Sequence, residues 1–293
     1  MPRCAVIVTG VAFPYRGPEM STDFLFGLSA LLALLPAAVL AWRRLAGPAA
    51  GRAARPDAAF WATAAVALVG PLAWVHALVV DGWHTGFSVA LWITITGTMA
   101  VFAASSALTR QAWKLAPLLF PYLIVLGLAA LIWQHAPERP LKTVGHSAWL
   151  WIHVAISVAT YALATLAAVA GLGVFLQERA LKNRRPSALT RHLPSVADGE
   201  GLLIGLLLAA GGILLVGMVT GASIQYLSTG ALLRLDHKTV LSLTSFAVIA
   251  ALLAAHYRTG IRGRRAARYM LLGYLLLTLA YPGVKFITDV LIG

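Results

Sequence analysis

The chain has 293 residues, of which 60% are hydrophobic and 11% charged, and its mean hydropathy is +0.82. Soluble domains carry about 25% charged residues, so soluble, disordered and fibrous classes are excluded together and a polytopic membrane protein remains. The single cysteine, Cys4, removes internal disulfides, CxxC chemistry and thiolate metal sites.

Residues 1–22 hold an apolar patch, Ala5–Phe13, interrupted by Gly10 and followed by Pro14. It is too short and irregular for a signal-peptide core with a cleavage site, so an external N-terminal segment is expected there. A helix needs about 20 apolar residues to cross a hydrocarbon core of about 30 Å. By that measure spans are expected at 23–42, 60–80, 86–107, 115–133, 148–176, 200–224, 238–257 and 268–290. The expected fold is all-α, with eight transmembrane helices forming one membrane domain over 23–293.

The connections that end the first, third, fifth and seventh spans carry sixteen of the 23 Lys and Arg residues. The positive-inside rule places those connections in the cytoplasm and both termini outside. The net charge of +13 is then orientation and lipid contact, and no nucleic-acid partner is expected. The segment 47–56, GPAAGRAARP, reads as a flexible turn. The stretch 177–199, with Pro186 and Pro194, reads as a basic cytoplasmic connection too short for a domain. No internal repeat, GxGxxG, Walker A or HExxH pattern is present.

Ionisable groups inside a bilayer are functional candidates by default. Of the eight histidines, His192 falls in the cytoplasmic connection, and His84, His135, His146 and His237 fall in outer loops or at helix starts. His76, His153 and His256 fall within spans two, five and seven. His76 and His153 both lie about 7–9 Å below the outer surface, at 1.5 Å per residue. Two imidazoles at one depth could be the axial ligands of a haem iron. They could equally be unrelated interfacial histidines, each bonded to a neighbouring helix.

His153, Ser157, Thr160 and Tyr161 share one face of span five, and lipid cannot satisfy such a polar stripe. Lys238, Ser242, Ser245 and His256 make a similar stripe on span seven. His256 lies at its cytoplasmic end, about 25 Å from the level of His76. The following run, with Arg262, Arg264 and Arg265, suits lipid headgroups or porphyrin propionates. Lys285 and Asp289 are spaced for a local ion pair, and Pro71, Pro117, Pro121 and Pro282 are expected to kink their spans.

From span two onward the sequence resembles the cytochrome c assembly protein family, and more narrowly its eight-span inner-membrane branch that includes YpjD and HemX. The resemblance rests on WVHALVV at 74–80, WIHVAISVATYALATLAAVAG at 151–171, QERALK at 177–182, LPSVADGEGLL at 193–203 and GGILLVGMVTG at 211–221. It continues through DHKTVLSLTSF at 236–246 and HYRTGIRGRRAARYMLLGYLLLTLAYPG at 256–283. It implies haem handled in a bacterial inner membrane, with histidine axial ligands. It falls on His153, in the helix that also holds Ser157 and Tyr161, and on His76 and His256 in the places of the family's other membrane histidines. Equal depth favours pairing His76 with His153, leaving His256 for a second or transit site.

Two departures limit the carry-over. The family's synthetases present haem on a tryptophan-rich outer loop ending in W-D-P-K-E. The corresponding stretch here, SIQYLSTGALLRLDHKT, keeps Asp236 and Lys238 but has no tryptophan. The histidine that follows the last span of the synthetases is also missing. The resemblance therefore implies a haem-binding assembly factor, not an enzyme by itself, with haem, lipid and other cytochrome c or haem biogenesis proteins as partners. Two rivals remain: a small-molecule transporter, for which no inverted repeat is visible, and a regulatory scaffold. The HemX likeness would link such a scaffold to the abundance of glutamyl-tRNA reductase.

Overall fold

The computed structural model describes residues 19–46, 55–80, 86–134, 148–230 and 237–259, together with 268, 269, 271, 272, 274, 275 and 278. The described helices are α1 (Glu19–Leu32), α2 (Leu35–Ala46), α3 (Ala58–Val80), α4 (Phe87–Leu108), α5 (Ala116–Ile132), α6 (Ala148–Asn183), α7 (Ala188–His192), α8 (Val196–Thr229) and α9 (His237–Thr259). A short 3-10 turn, Ala112–Leu115, leads into α5. The described residues contain no strand.

Six stretches are long and apolar enough to cross a membrane: Thr22–Ala46, Ala58–Val80, Phe87–Leu108, Ala112–Ile132, Trp149–Asn183 and Val196–Leu227. They match the first six expected spans. The seventh falls on α9, whose apolar run Ser242–Arg258 is shorter. Most of 268–290 lies outside the described residues, as do 1–18, Arg262, Arg264, Arg265, Pro282, Lys285 and Asp289.

The first span is broken into α1 and α2 at residues 33 and 34. Pro36 has no N–H to return to the carbonyl four residues earlier, so the ladder stops and restarts. Pro71 and Pro121 sit inside helices as expected. Pro117 does not kink its span. It occupies the first turn of α5, where an amide proton would have no intrahelical partner in any case.

At the centre stands α4, packed against α3, α5 and α6. Trp92, Ile95, Met99 and Phe102 on it are fully buried. Ser88 Oγ ties it to α5 by donating to Ala130 O at 2.8 Å. Gly97 lets α6 approach closely, since a Cβ there would lie 2.5 Å from Val158 Cγ1. Near the other end, Phe60, Phe102, Phe120 and Trp113 meet edge to face, with centroids 6.0–6.1 Å apart.

The most extensive pairing joins α6 to α8. Going down the seam, Gly221 faces His153, Gly217 faces Ile156 and Gly199 faces Val174, so the two helices run antiparallel over their length. At 36 and 34 residues they are about 54 and 51 Å long, well beyond a core of about 30 Å. The connection expected over 177–199 is therefore largely helical, and the hairpin extends past the bilayer. The amide of Arg184, at φ 52°, bonds back to Leu181 O and that of Arg185 to Ala180 O. This closes α6 in the manner that usually uses glycine.

The tip of the hairpin is folded back by α7. Ser187 and Thr190 form a reciprocal cap, and Gln177 Nε2 donates to the carbonyls of Thr190, Leu193 and Pro194. His192, within the connection expected over 177–199, is 4% exposed. Its ring stands edge-on to Trp113 at 5.4 Å, and Arg44 lies over the Trp113 ring while ion-pairing Asp57. Burial, followed by the charges of Lys114 and Arg44, holds the His192 imidazole down at about 4.

Between about pH 4 and 6.5 the unfolded chain therefore binds a proton that the folded one rejects. Stability of the α7 dock is complete above that window and is lost as pH falls through it. Hydrogen exchange of 186–195, corrected for intrinsic rate, should show faster opening as pH drops from 6.5 to 4. His192→Phe should flatten that dependence. A wild-type profile that is already flat would refute the buried neutral histidine.

Candidate functional site

His153 lies five residues inside the N-terminal end of α6, about 7.5 Å along the helix. Gly221 on α8 makes room for its ring. A Cβ at Gly221 would lie 3.0 Å from His153 Cε1 and 3.7 Å from each ring nitrogen, so the imidazole rests against the α8 backbone. One residue earlier Thr220, 6% exposed, places Oγ1 at 2.9 Å from His153 Nδ1. The same Oγ1 lies 3.0 Å from Gly217 O.

This arrangement suits one tautomer. A carbonyl oxygen can only accept, so a Thr220 proton donated to Gly217 O leaves the hydroxyl oxygen free to accept. In that arrangement it accepts from His153, with Nδ1 the protonated nitrogen. Nε2 then keeps its lone pair. An imidazole whose Nδ1–H is held by an outer acceptor while Nε2 stays open is the form that binds a metal.

The remainder of the expected stripe behaves differently. Ser157 is exposed and donates to His153 O at 2.8 Å, and Thr160 is buried and donates to Ile156 O at 2.9 Å. Both hydroxyls are satisfied by their own helix, so the stripe does not of itself require a cavity.

Tyr161, about 12 Å deeper than His153, does reach other helices. Its hydroxyl meets Thr278 Oγ1 at 3.2 Å and Tyr274 OH at 3.3 Å. Tyr274 OH in turn meets Tyr122 OH at 2.5 Å and receives a bond from Thr165 Oγ1 at 3.1 Å. This chain of phenols joins α5 and α6 to the stretch around residues 268–278, with ring centroids 5.7 and 6.4 Å apart.

His76 and His153 share a depth but not a side. The buried stripe of α3 runs Phe60, Ala64, Ala67, Pro71, Trp74. Two residues past Trp74 is a rotation of about 200°, and His76 is accordingly exposed. Helix α3 packs on α1, α2 and α4, whereas α6 packs on α4, α5 and α8. Helix α4 thus stands between the two histidines, and the structure does not bring them together. His256 is half-buried near the end of α9, edge-on to Tyr257 at 5.2 Å. Lys238 lies in the first turn of α9, with its side chain outside the description. Arg262, Arg264 and Arg265 lie outside the described residues altogether.

Thr220, Gly221 and Tyr274 stand inside quoted motifs but are not singled out as site residues, and Tyr122 is not mentioned. The phenols could have been found as isolated polar groups inside apolar runs, and Thr220–Gly221 as the end of the Gly217–Gly221 pair at four-residue spacing. Among the described residues no group of three or more His, Cys, Asp or Glu could hold a metal ion alone.

Residues 58–292 match the cytochrome c assembly protein family, and the chain belongs to that family. The match begins with α3 and includes all three membrane histidines. An uncharacterized 28.8 kDa protein of Azospirillum brasilense is 53% identical over 275 residues, 94% of this chain and 100% of its own length. The inner membrane protein YpjD of Escherichia coli K12 is 25% identical over 183 residues, covering 62% of this chain and 67% of YpjD. HemX of Brevibacillus brevis is 28% identical over 163 residues, covering 54% of this chain and 60% of HemX. No solved structure matches the chain.

Proposed function

We propose that this protein binds or relays haem in a bacterial inner membrane, in the service of cytochrome c assembly or haem biogenesis, with His153 Nε2 as an iron ligand. The observation that carries the reading is the Thr220 hydroxyl, placed to accept from His153 Nδ1–H and so to keep the Nε2 lone pair for a ligand. The donor set suits haem better than a bare ion. A lone imidazole cannot make a metal cage, but the macrocycle supplies four nitrogens and asks the protein only for axial donors. When bound, haem would supply any redox chemistry, and no catalysis by the chain itself is proposed.

The chain's own part is to hold the donor. The Gly221 surface sets the ring plane, Thr220 sets its rotation, and the glycine seam keeps α8 close enough for both. The proposal rests on His153 alone, because α4 separates it from His76. His256, at the other side of the membrane, fits a transit position.

Family membership and the charge distribution support the full eight-span arrangement with both termini outside. Reporter fusions after Arg55, Arg185 and Arg265 should read as cytoplasmic, and those after His84, Pro140 and Gly293 as external. A single inverted signal would break the count.

The haem reading is tested by absorption of the purified, haemin-loaded protein. Wild type should keep a Soret band through purification. His153→Ala should weaken retention about tenfold or more, and free imidazole should restore the wild-type band. His76→Ala should leave the spectral type unchanged. A protein that cannot be loaded would favour the transporter or scaffold readings. The same spectral change in His76→Ala as in His153→Ala would show that haem bridges the two after all.

A further inference from the structure

A second feature lies at the other end of α3 and α4, far from His153. Arg55, Pro56, Trp61, Ser106, Ala107, Leu108, Thr109 and Arg110 enclose a half-open cleft of about 360 Å³. It sits where α3 begins and α4 ends, on the side of the basic connections. We propose that this cleft binds the phosphate group of an anionic lipid headgroup in the cytoplasmic leaflet.

Three donors in the cleft are unmatched. The guanidinium groups of Arg55 and Arg110 have no hydrogen-bond or ion-pair partner among the described residues. Ser106 is 3% exposed, and its Oγ is buried with no partner. No carboxylate lines the cleft. The neighbouring Asp57 is already engaged, by Arg44 and by the amide of Phe60. The Thr109 hydroxyl is likewise committed, donating to Ser105 O and accepting from Ala112 N.

Two unit positive charges outweigh the partial negative charge of about one half at the C-terminus of α4. The planar forks of arginine suit phosphate oxygens. Depth points to lipid as the source of the phosphate. Trp61, 37% exposed, and Leu108, 86% exposed, flank the cleft at the end of two spans. An indole belongs at the headgroup level, and Leu108 is placed against acyl chains. A soluble anion would gain nothing from either. This site is independent of haem binding.

The test is native mass spectrometry of the full chain in neutral detergent, titrated with phosphatidylglycerol, with phosphatidylcholine, and with inorganic phosphate. One phosphatidylglycerol should bind about tenfold more tightly than phosphatidylcholine, and Arg55→Gln with Arg110→Gln should remove that difference. Ser106→Ala keeps both charges and deletes only an unpartnered hydroxyl. Its melting temperature should not fall, while its affinity for phosphatidylglycerol should drop about threefold. Phosphatidylglycerol binding that persists in millimolar phosphate supports the lipid source. Displacement by phosphate would keep the anion chemistry but overturn that source. Tight phosphatidylglycerol binding that survives the double arginine substitution overturns the site, and so does an affinity unchanged in both the Ser106 and the arginine variants.

Discussion

The structure turns on the single proton of the Thr220 hydroxyl. Inside a bilayer little water is available to satisfy a polar group, which raises the value of each protein acceptor. A Thr220 proton given to Gly217 O in its own helix leaves only lone pairs to offer His153. That pattern protonates Nδ1 of the imidazole and keeps the lone pair on Nε2. The helices that hold the pair serve this geometry. Gly217 and Gly221 remove the side chains that would keep α8 away from α6, and a Cβ at Gly221 would press on the ring itself. A longer side chain at either position would widen the seam and break the relay.

Much of the architecture can be read in the sequence because the bilayer imposes a length and an apolar composition on every span. The first six spans follow from that rule with small shifts. What the rule cannot supply is azimuth. Counting residues from a helix end gives the depth of His76 and of His153, and the depths agree. Only packing shows that Trp74 is the buried side of α3, which turns His76 outward, and that α4 intervenes. The Thr220 contact was hidden for the same reason, since its partner lies 67 positions away on another helix.

Local signals misled in two other places. Pro186 and Pro194 mark the ends of helices, not a long loop, and α7 between them is pinned by Gln177 and by the docked His192. A histidine in a basic connection gives no sign of burial until the Trp113 ring that covers it is known. Ser157 and Thr160 read as part of a polar stripe that lipid cannot satisfy, but their hydroxyls return to carbonyls one turn back. On the same helix, the phenol chain through Tyr161, Tyr274 and Tyr122 ties α6 to α5 and to Tyr274.

The central claim concerns a proton position, and nitrogen NMR of ¹⁵N-histidine-labelled protein reads it directly. The His153 resonances, assigned by their loss in His153→Ala, should show a protonated Nδ1 and an unprotonated Nε2. Thr220→Val should erase that preference. The opposite pattern, Nε2–H with a bare Nδ1 accepting from Thr220, would contradict the account and leave no lone pair facing a metal.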